Sequence, residues 1–328
     1  MIIQTCQLFQ YQEVETMLEI KQLCKYYGDF LAVNHLDLSI ENGEIFGFVG
    51  PNGAGKTTTM KIISGLLKAS SGEVFIDGTN ALKDAKQLKQ KIGYMPDFFG
   101  VYDNLKAIEY MEFYASMYGI VGKKAKQISR ELMALVNLSD KENSYVDGLS
   151  RGMKQRLCLA RSMVHNPDLL ILDEPASGLD PRARFEMKEI LKNLKDMGKT
   201  IMISSHILPE LAEICTTIGI MEQGQLLLHG SVEDILEQAK GRNSLKIQLY
   251  SGQSKALRVL KENPKVESIS ILDSCLKLKF RGTEEEEARL LRSILEAGAE
   301  VSGFSRERGN LEELFMEMTE KGEDENAD

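Results

Sequence analysis

The stretch Ile45-Phe46-Gly47-Phe48-Val49-Gly50-Pro51-Asn52-Gly53-Ala54-Gly55-Lys56-Thr57-Thr58 sets an apolar run, a glycine-rich turn and a lysine–threonine pair in direct succession. Gly50 to Thr57 fits the pattern G-x-x-x-x-G-K-[ST] at every fixed position. The apolar run before it suits a buried strand, and Thr58 to Ile63 follows with helical spacing, the strand–loop–helix context that the pattern requires. Gly50, Gly53 and Gly55 let the backbone curl so that successive N–H groups, those of Asn52 and Thr58 included, face one anion at a helix N-terminus. The loop is therefore predicted to cradle the phosphates of a nucleotide, with Lys56 reaching the β- and γ-phosphates and the Thr57 hydroxyl ligating Mg²⁺.

Working outward, 328 residues are enough for a full core and two domains. A net charge of −9 speaks against a general nucleic-acid binder, which needs a basic face for the phosphate backbone. Cys6, Cys24, Cys158, Cys215 and Cys275 are scattered without metal-ligand or paired spacing, so they are expected to be reduced thiols of a cytosolic protein. No apolar run approaches the roughly 18–20 residues that span a bilayer. Residues 1–16 form a polar prelude, expected to be a disordered tail or the product of an upstream start codon, with Met17 as the alternative start.

Leu18–Leu23 and Leu36–Ile40 alternate apolar and polar residues and are predicted to be antiparallel strands. Between them Tyr27, just before Gly28, is the aromatic best placed to stack on a base. Gly72–Gly78 reads as a short strand, Ala81–Lys91 as a charged helix and Ile92–Met95 as a buried strand that ends at Pro96-Asp97. Helical spacing recurs from Asn104 to Tyr118 and from Ala125 to Val136. Next comes Leu149-Ser150-Arg151-Gly152-Met153, with Ser150 a natural N-cap and the amides around Gly152 aimed at an anion. A helix over Lys154–His165 follows, stopped by Asn166-Pro167. Leu169-Leu170-Ile171-Leu172 runs into Asp173-Glu174, as expected of a buried parallel strand whose end meets a metal–nucleotide complex. Ser177–Pro181 is a turn, Arg182–Met197 a helix, and the strand Thr200–Ser204 delivers Ser205-His206. Ile218–Met221 and Gln225–His229 close this part around Gln223-Gly224.

Together these motifs resemble the ATP-binding cassette ATPases over roughly residues 18–238. Gly50–Thr57 is similar to that family's phosphate loop, Leu149–Met153 to its signature, Leu169–Glu174 to its acidic strand, Ser177–Asp180 to its dimer loop and His206 to its switch histidine. The resemblance implies a phosphate-loop α/β core with a helical subdomain, about residues 97–165, and an antiparallel β subdomain. It also implies that two cassettes pair head to tail around two ATP molecules with Mg²⁺. Each site would then take Lys56, Thr57, Asp173, Glu174 and His206 from one subunit, and Ser150 and Gly152 from the other. In that scheme Asp173 holds Mg²⁺ through water and Glu174 polarises the attacking water. Two departures stand out. Asp97 replaces the family's glutamine, and an ionised carboxylate only accepts hydrogen bonds, so it could hold a metal-bound water but would repel a bare γ-phosphate. The signature reads Leu-Ser-Arg-Gly-Met in place of Leu-Ser-Gly-Gly-Gln.

Beyond residue 240 the order β-α-β-β-α-β over 241–320 suggests a small ferredoxin-like unit, then a last amphipathic helix through Leu311, Leu314, Phe315 and Met318 and an acidic tail at 321–328. No catalytic constellation is evident there, so an interaction or dimerisation module is expected. Such an appended unit resembles those of bacterial exporter ATPases for drugs, lipids or polysaccharides. Taken whole, the sequence predicts an ATPase subunit at the cytoplasmic face of a membrane, working as a dimer with a separate polytopic membrane chain and without nucleic acid. The competing class is a non-transport cassette acting on ribosomes or nucleic acid, and a phosphate-loop kinase leaves the signature and His206 unexplained.

Overall fold

The computed structural model describes residues 15–83, 85–98, 100, 104–235, 244–272 and 275–307. The chain divides into two compact units, residues 1–229 and 230–328. The boundary expected at 240/241 falls inside the second of these. The expected helix over 311–318 and the acidic tail lie outside the described residues.

In the first unit, β1 (Thr16–Tyr27) and β2 (Phe30–Glu41) form a long antiparallel pair, joined on the other side of β1 by β4 (Ser71–Ile76) and then β5 (Thr79–Asn80). The sheet reaches further toward the N-terminus than the alternation suggested. Met17 is buried in the core, and the Glu15 carbonyl accepts from the Asn42 amide at 3.0 Å.

The second sheet carries the chemistry. Its order is β10-β9-β3-β8-β7-β6, with β3 (Ile45–Val49), β6 (Ile92–Met95), β7 (Leu169–Asp173), β8 (Thr200–Ser205) and β9 (Thr217–Glu222) running parallel. All five residues of β3 and of β7 are buried, as parallel strands covered on both faces require. β10 (Gln225–Ser231) returns through Gln223 and Gly224, both at positive φ, the geometry of a two-residue hairpin turn.

Helix α1 (Lys56–Ile63) leaves the phosphate loop, and α2 (Ala85–Lys91) begins four residues later than the charge pattern implied. The reason is local: Asn80 Oδ1 accepts from the amides of Leu82 and Lys83, holding that segment as a turn. The helices α3 (Ala107–Met117), α4 (Gly122–Leu135) and α5 (Arg151–Ser162) follow. Helix α5 is tied to the end of α4 by Arg156, whose guanidinium donates to the carbonyls of Val136 and Asn137. Helix α6 (Pro181–Asp196) starts with Asp180 as N-cap, and α7 (Leu208–Ala212) is short. Three thiols of this unit, Cys24, Cys158 and Cys215, are buried in separate places. Burial pushes the Cys158 thiol up to about 11 and raises that of Cys215 as well.

In the second unit, β11 (Ser244–Ser251), α8 (Gln253–Glu262), β12 (Val266–Leu272), β13 (Cys275–Phe280), α9 (Glu284–Glu296) and β14 (Glu300–Glu307) give an antiparallel sheet of order β12-β13-β11-β14. This is the split β-α-β arrangement expected of a ferredoxin-like unit. Leu245, Ile247, Leu276, Leu278, Leu290 and Ile294 form its core.

Candidate active site

Strand β3 delivers the chain into the phosphate loop with no slack. A Cβ on Gly50 would lie 2.2 Å from the Met221 carbonyl oxygen. At Gly55, φ is +105° and a Cβ would meet the Ala32 carbonyl at 2.5 Å, so only glycine fits either place. The loop then turns into α1, and Lys56, 6% exposed, donates from Nζ to the carbonyls of Gly50 at 2.6 Å and Pro51 at 3.1 Å. Burial lowers the pKa of this ammonium, opposed by the charges of Glu174 and Asp173.

The neighbouring strand ends supply the acids. Thr57 Oγ1 donates to Asp173 Oδ1 at 3.1 Å, and Asp173 is 1% exposed. Strand register sets Asp173 opposite Ser204, whose hydroxyl donates to the same Oδ1 at 2.6 Å and accepts from the Glu174 amide at 2.9 Å. Glu174 leaves β7 with φ +51°. His206 Nδ1 lies 3.1 Å from both carboxylate oxygens of Glu174. A carboxylate only accepts, so this nitrogen carries a proton. One cavity of about 250 Å³ gathers Tyr27, Asn52, Gly53, Gly55, Lys56, Thr57, Thr58, Asp97 and Glu174, with Phe30 beside them. Of the residues expected to face a nucleotide on this chain, Gly50, Asp173 and His206 do not line that cavity. Gly50 supports the loop, Asp173 sits behind Thr57, and His206 reaches the cavity only through Glu174.

Ser150 and Gly152 do not line the cavity either. Ser150 caps α5 by accepting from the Met153 amide at 3.3 Å. Gly152 is buried where a Cβ would come within 2.9 Å of Ala183 Cβ, so α5 packs closely on the start of α6.

A smaller cavity of about 130 Å³ on the other side of Glu174 is lined by Ser177, Arg184, His206 and Glu210 among others. A third, of about 570 Å³, is a groove bounded by Leu66, Lys89, Tyr94, Tyr114, Met117, Tyr118, Arg161 and His165. Arg161 donates to the phenol oxygens of Tyr110 at 3.1 Å and Tyr114 at 3.3 Å, and no described residue lining the groove is acidic.

Two neighbours of the phosphate loop escaped the motifs. Ser204 is identified only by its cross-strand register with Asp173, and Phe30 only by the hairpin that sets it opposite Tyr27. A hydroxyl at the end of an apolar strand was the available signal for Ser204.

The donor set fits Mg²⁺: a hydroxyl and a carboxylate, both hard oxygen ligands, meet at Thr57 and Asp173. Among the described residues no group of three or more His, Cys, Asp or Glu could hold a metal ion by itself.

Residues 33–177 match the family model described as ABC transporter, and residues 230–319 match that of the ATP-binding protein DrrA1-3-like, C-terminal domain. The linearmycin resistance ATP-binding protein of Bacillus subtilis (strain 168) is 32% identical over 307 residues, covering 92% of this chain and 98% of that protein. The bacitracin transport ATP-binding protein of Bacillus licheniformis is 34% identical over 306 residues, covering 93% and 98%. Among solved structures, a dimeric ATP-binding cassette bound to ADP and Pi in a post-hydrolysis state superimposes with a TM-score of 0.60 at 26% identity, covering 66% of this chain and 99% of that one. With its phosphate loop, acidic strand end and appended C-terminal unit, this chain belongs to the ABC transporter family as an ATP-binding, ATP-hydrolysing subunit.

Proposed function

We propose that this chain is the motor of an exporter: a peripheral subunit at the cytoplasmic face that pairs with a second copy and drives a separate polytopic membrane protein. The observation that carries the site reading is the continuous chain Thr57–Asp173–Ser204–Glu174–His206 along the ends of β7 and β8, beside the phosphate loop. Export is supported by the resistance and transport relatives together with the DrrA-like C-terminal unit. Among the described residues no helix is long and apolar enough to cross a membrane, so translocation falls to a partner.

In this reading the amides of the phosphate loop and Lys56 bind the β- and γ-phosphates, and Tyr27 stacks on the base. Thr57 and Asp173 would hold Mg²⁺, which when bound would supply neutralisation of the phosphate charge. Glu174 accepts a proton from the attacking water, and His206 fixes the direction of that carboxylate. Ser150 and Gly152 complete the site of the partner copy, which is consistent with their position away from their own cavity. The 570 Å³ groove supplies a surface for the membrane subunit, since exposed Leu66, Met117 and Tyr118 adjoin the half-buried cation Arg161.

The test is to purify the tagged full chain from detergent-solubilised membranes, then to assay ATP turnover for wild type and Glu174→Gln. A stoichiometric polytopic protein is expected to co-purify. Glu174→Gln is expected to bind ATP and remain dimeric while turnover falls on the order of 10²–10⁴-fold. Recovery with ribosomes or nucleic acid instead would overturn the transport reading, and undiminished turnover would remove Glu174 from its role.

A further inference from the structure

The cavity at the phosphate loop is poor in positive charge for a site that takes a polyphosphate. Among the described residues that line it, Lys56 is the one cation, whereas Asp97 and Glu174 are both acidic. The Lys56 ammonium is already committed to two loop carbonyls. Asp173 adds a third carboxylate immediately behind Thr57.

The three acids differ in how their charge is met. Asp173 accepts from the hydroxyls of Thr57 and Ser204, and Glu174 accepts from His206. Asp97, exposed on the bend that follows β6, has no donor among the described residues. Three positions earlier, the Tyr94 hydroxyl is buried without a hydrogen-bond partner. Burial raises the pKa of that phenol, and the charges of Asp173 and Asp97 push it the same way, so both acids bear on one spot at the end of β6.

An ionised carboxylate has nothing to donate to a phosphate oxygen. Facing metal-free nucleotide, Asp97 contributes repulsion alone, and one nearby unit charge, screened in part by solvent because Asp97 is exposed, changes affinity on the order of tenfold. A divalent ion reverses the sign: it neutralises the phosphates and brings bound waters that donate to a carboxylate. We propose that Asp97 is the specificity-determining residue that restricts this site to metal-complexed nucleotide and rejects the free form. The proposal rests on the reading of this cavity as the nucleotide site, and it goes further by assigning the discrimination to one side chain.

The test is calorimetric titration of the full-length chain with a non-hydrolysable ATP analogue, in MgCl₂ and again in EDTA, for wild type, Asp97→Asn and Asp97→Glu. For wild type, withdrawal of Mg²⁺ is expected to weaken binding about a hundredfold. Asp97→Asn is expected to shrink that ratio to about tenfold or less, chiefly by tightening binding in EDTA, while Asp97→Glu keeps the wild-type ratio. These magnitudes follow from removing one nearby unit charge. Equal ratios for wild type and Asp97→Asn, or a Glu variant that behaves like Asn, would overturn the proposal and leave the nucleotide site standing. No binding by wild type in either buffer would bring down both.

Discussion

Ser204 holds two bonds at once: its hydroxyl donates to Asp173 and accepts from the backbone of Glu174. That pair fixes the buried acid and also anchors the turn that takes Glu174 to φ +51°, a left-handed conformation that a residue with a Cβ adopts at a cost of about 1–2 kcal/mol. Removing the hydroxyl leaves Asp173 short of a donor in a site where it is 1% exposed. Ser204→Ala is therefore expected to lower stability by about 1–3 kcal/mol in urea unfolding and to reduce ATP turnover, although no part of Ser204 touches the cavity. At this scale the sequence was most legible where spacing within one segment carries the chemistry, as from Gly50 to Thr57. It was least legible for Ser204, because a cross-strand register is set by the sheet and has no local spacing to read.

Elements add a second kind of information, namely what a strand or helix end is packed against. His165, just past α5, stacks on Tyr118 with ring centroids 4.0 Å apart, and its Nε2 lies 2.9 Å from the Ile92 carbonyl. With Nε2 donating to that carbonyl, a proton on the buried Nδ1 would bring in an unpartnered charge. Burial accordingly lowers the pKa of this imidazole, helped by the nearby Lys199 charge and opposed by the carbonyl. Between the folded value and the ordinary value of about 6.5, the unfolded chain binds more protons than the native one. The contribution of His165 to stability is thus complete above about pH 6.5 and is lost as pH falls toward the folded value. Urea midpoints measured from about pH 7.5 down to 5.5 should drop for wild type, with a shallower fall for His165→Gln, which keeps a donor for Ile92 but cannot titrate.

Periodicity found helices α3, α4 and α6 because each buries one stripe, whereas α5, buried continuously from Gln155 to Ala160, was legible from its Ser150 cap and the Asn166-Pro167 stop. Periodicity missed the true start of α2, where the Asn80 side chain competes with the helix for two amides. The four acids Glu284–Glu287 fill the first turn of α9, where they complement the helix dipole, and Glu287 is in addition 7% exposed and paired with Arg306 at 2.8 Å. Its partner lies on β14, and no rule confined to α9 could supply it.

For the molecule as a whole, the sequence conveyed the class of fold, since motifs and strand–helix order are written along the chain. Sheet order was not legible: β3 sits between β8 and β9, which come some 150 residues later in the sequence. That order brings the ends of β7 and β8 to the phosphate loop, so the site depends on long-range pairing throughout the first unit. The buried thiols of that unit are widely spread, in β1, in α5 and just after α7. A thiol reagent attacks through the thiolate; burial suppresses access at all three, and at Cys158 and Cys215 it suppresses ionisation as well. With Cys6 and Cys275 replaced by serine, labelling of the remaining three becomes a clock for opening, read site by site in a mass spectrometer. If the unit opens as one body, saturating Mg-ATP analogue should slow all three by a common factor of about 1 + [L]/Kd. A Cys24 that keeps its own pace would instead mark the β1–β2–β4 sheet as a piece that breathes independently of the motor.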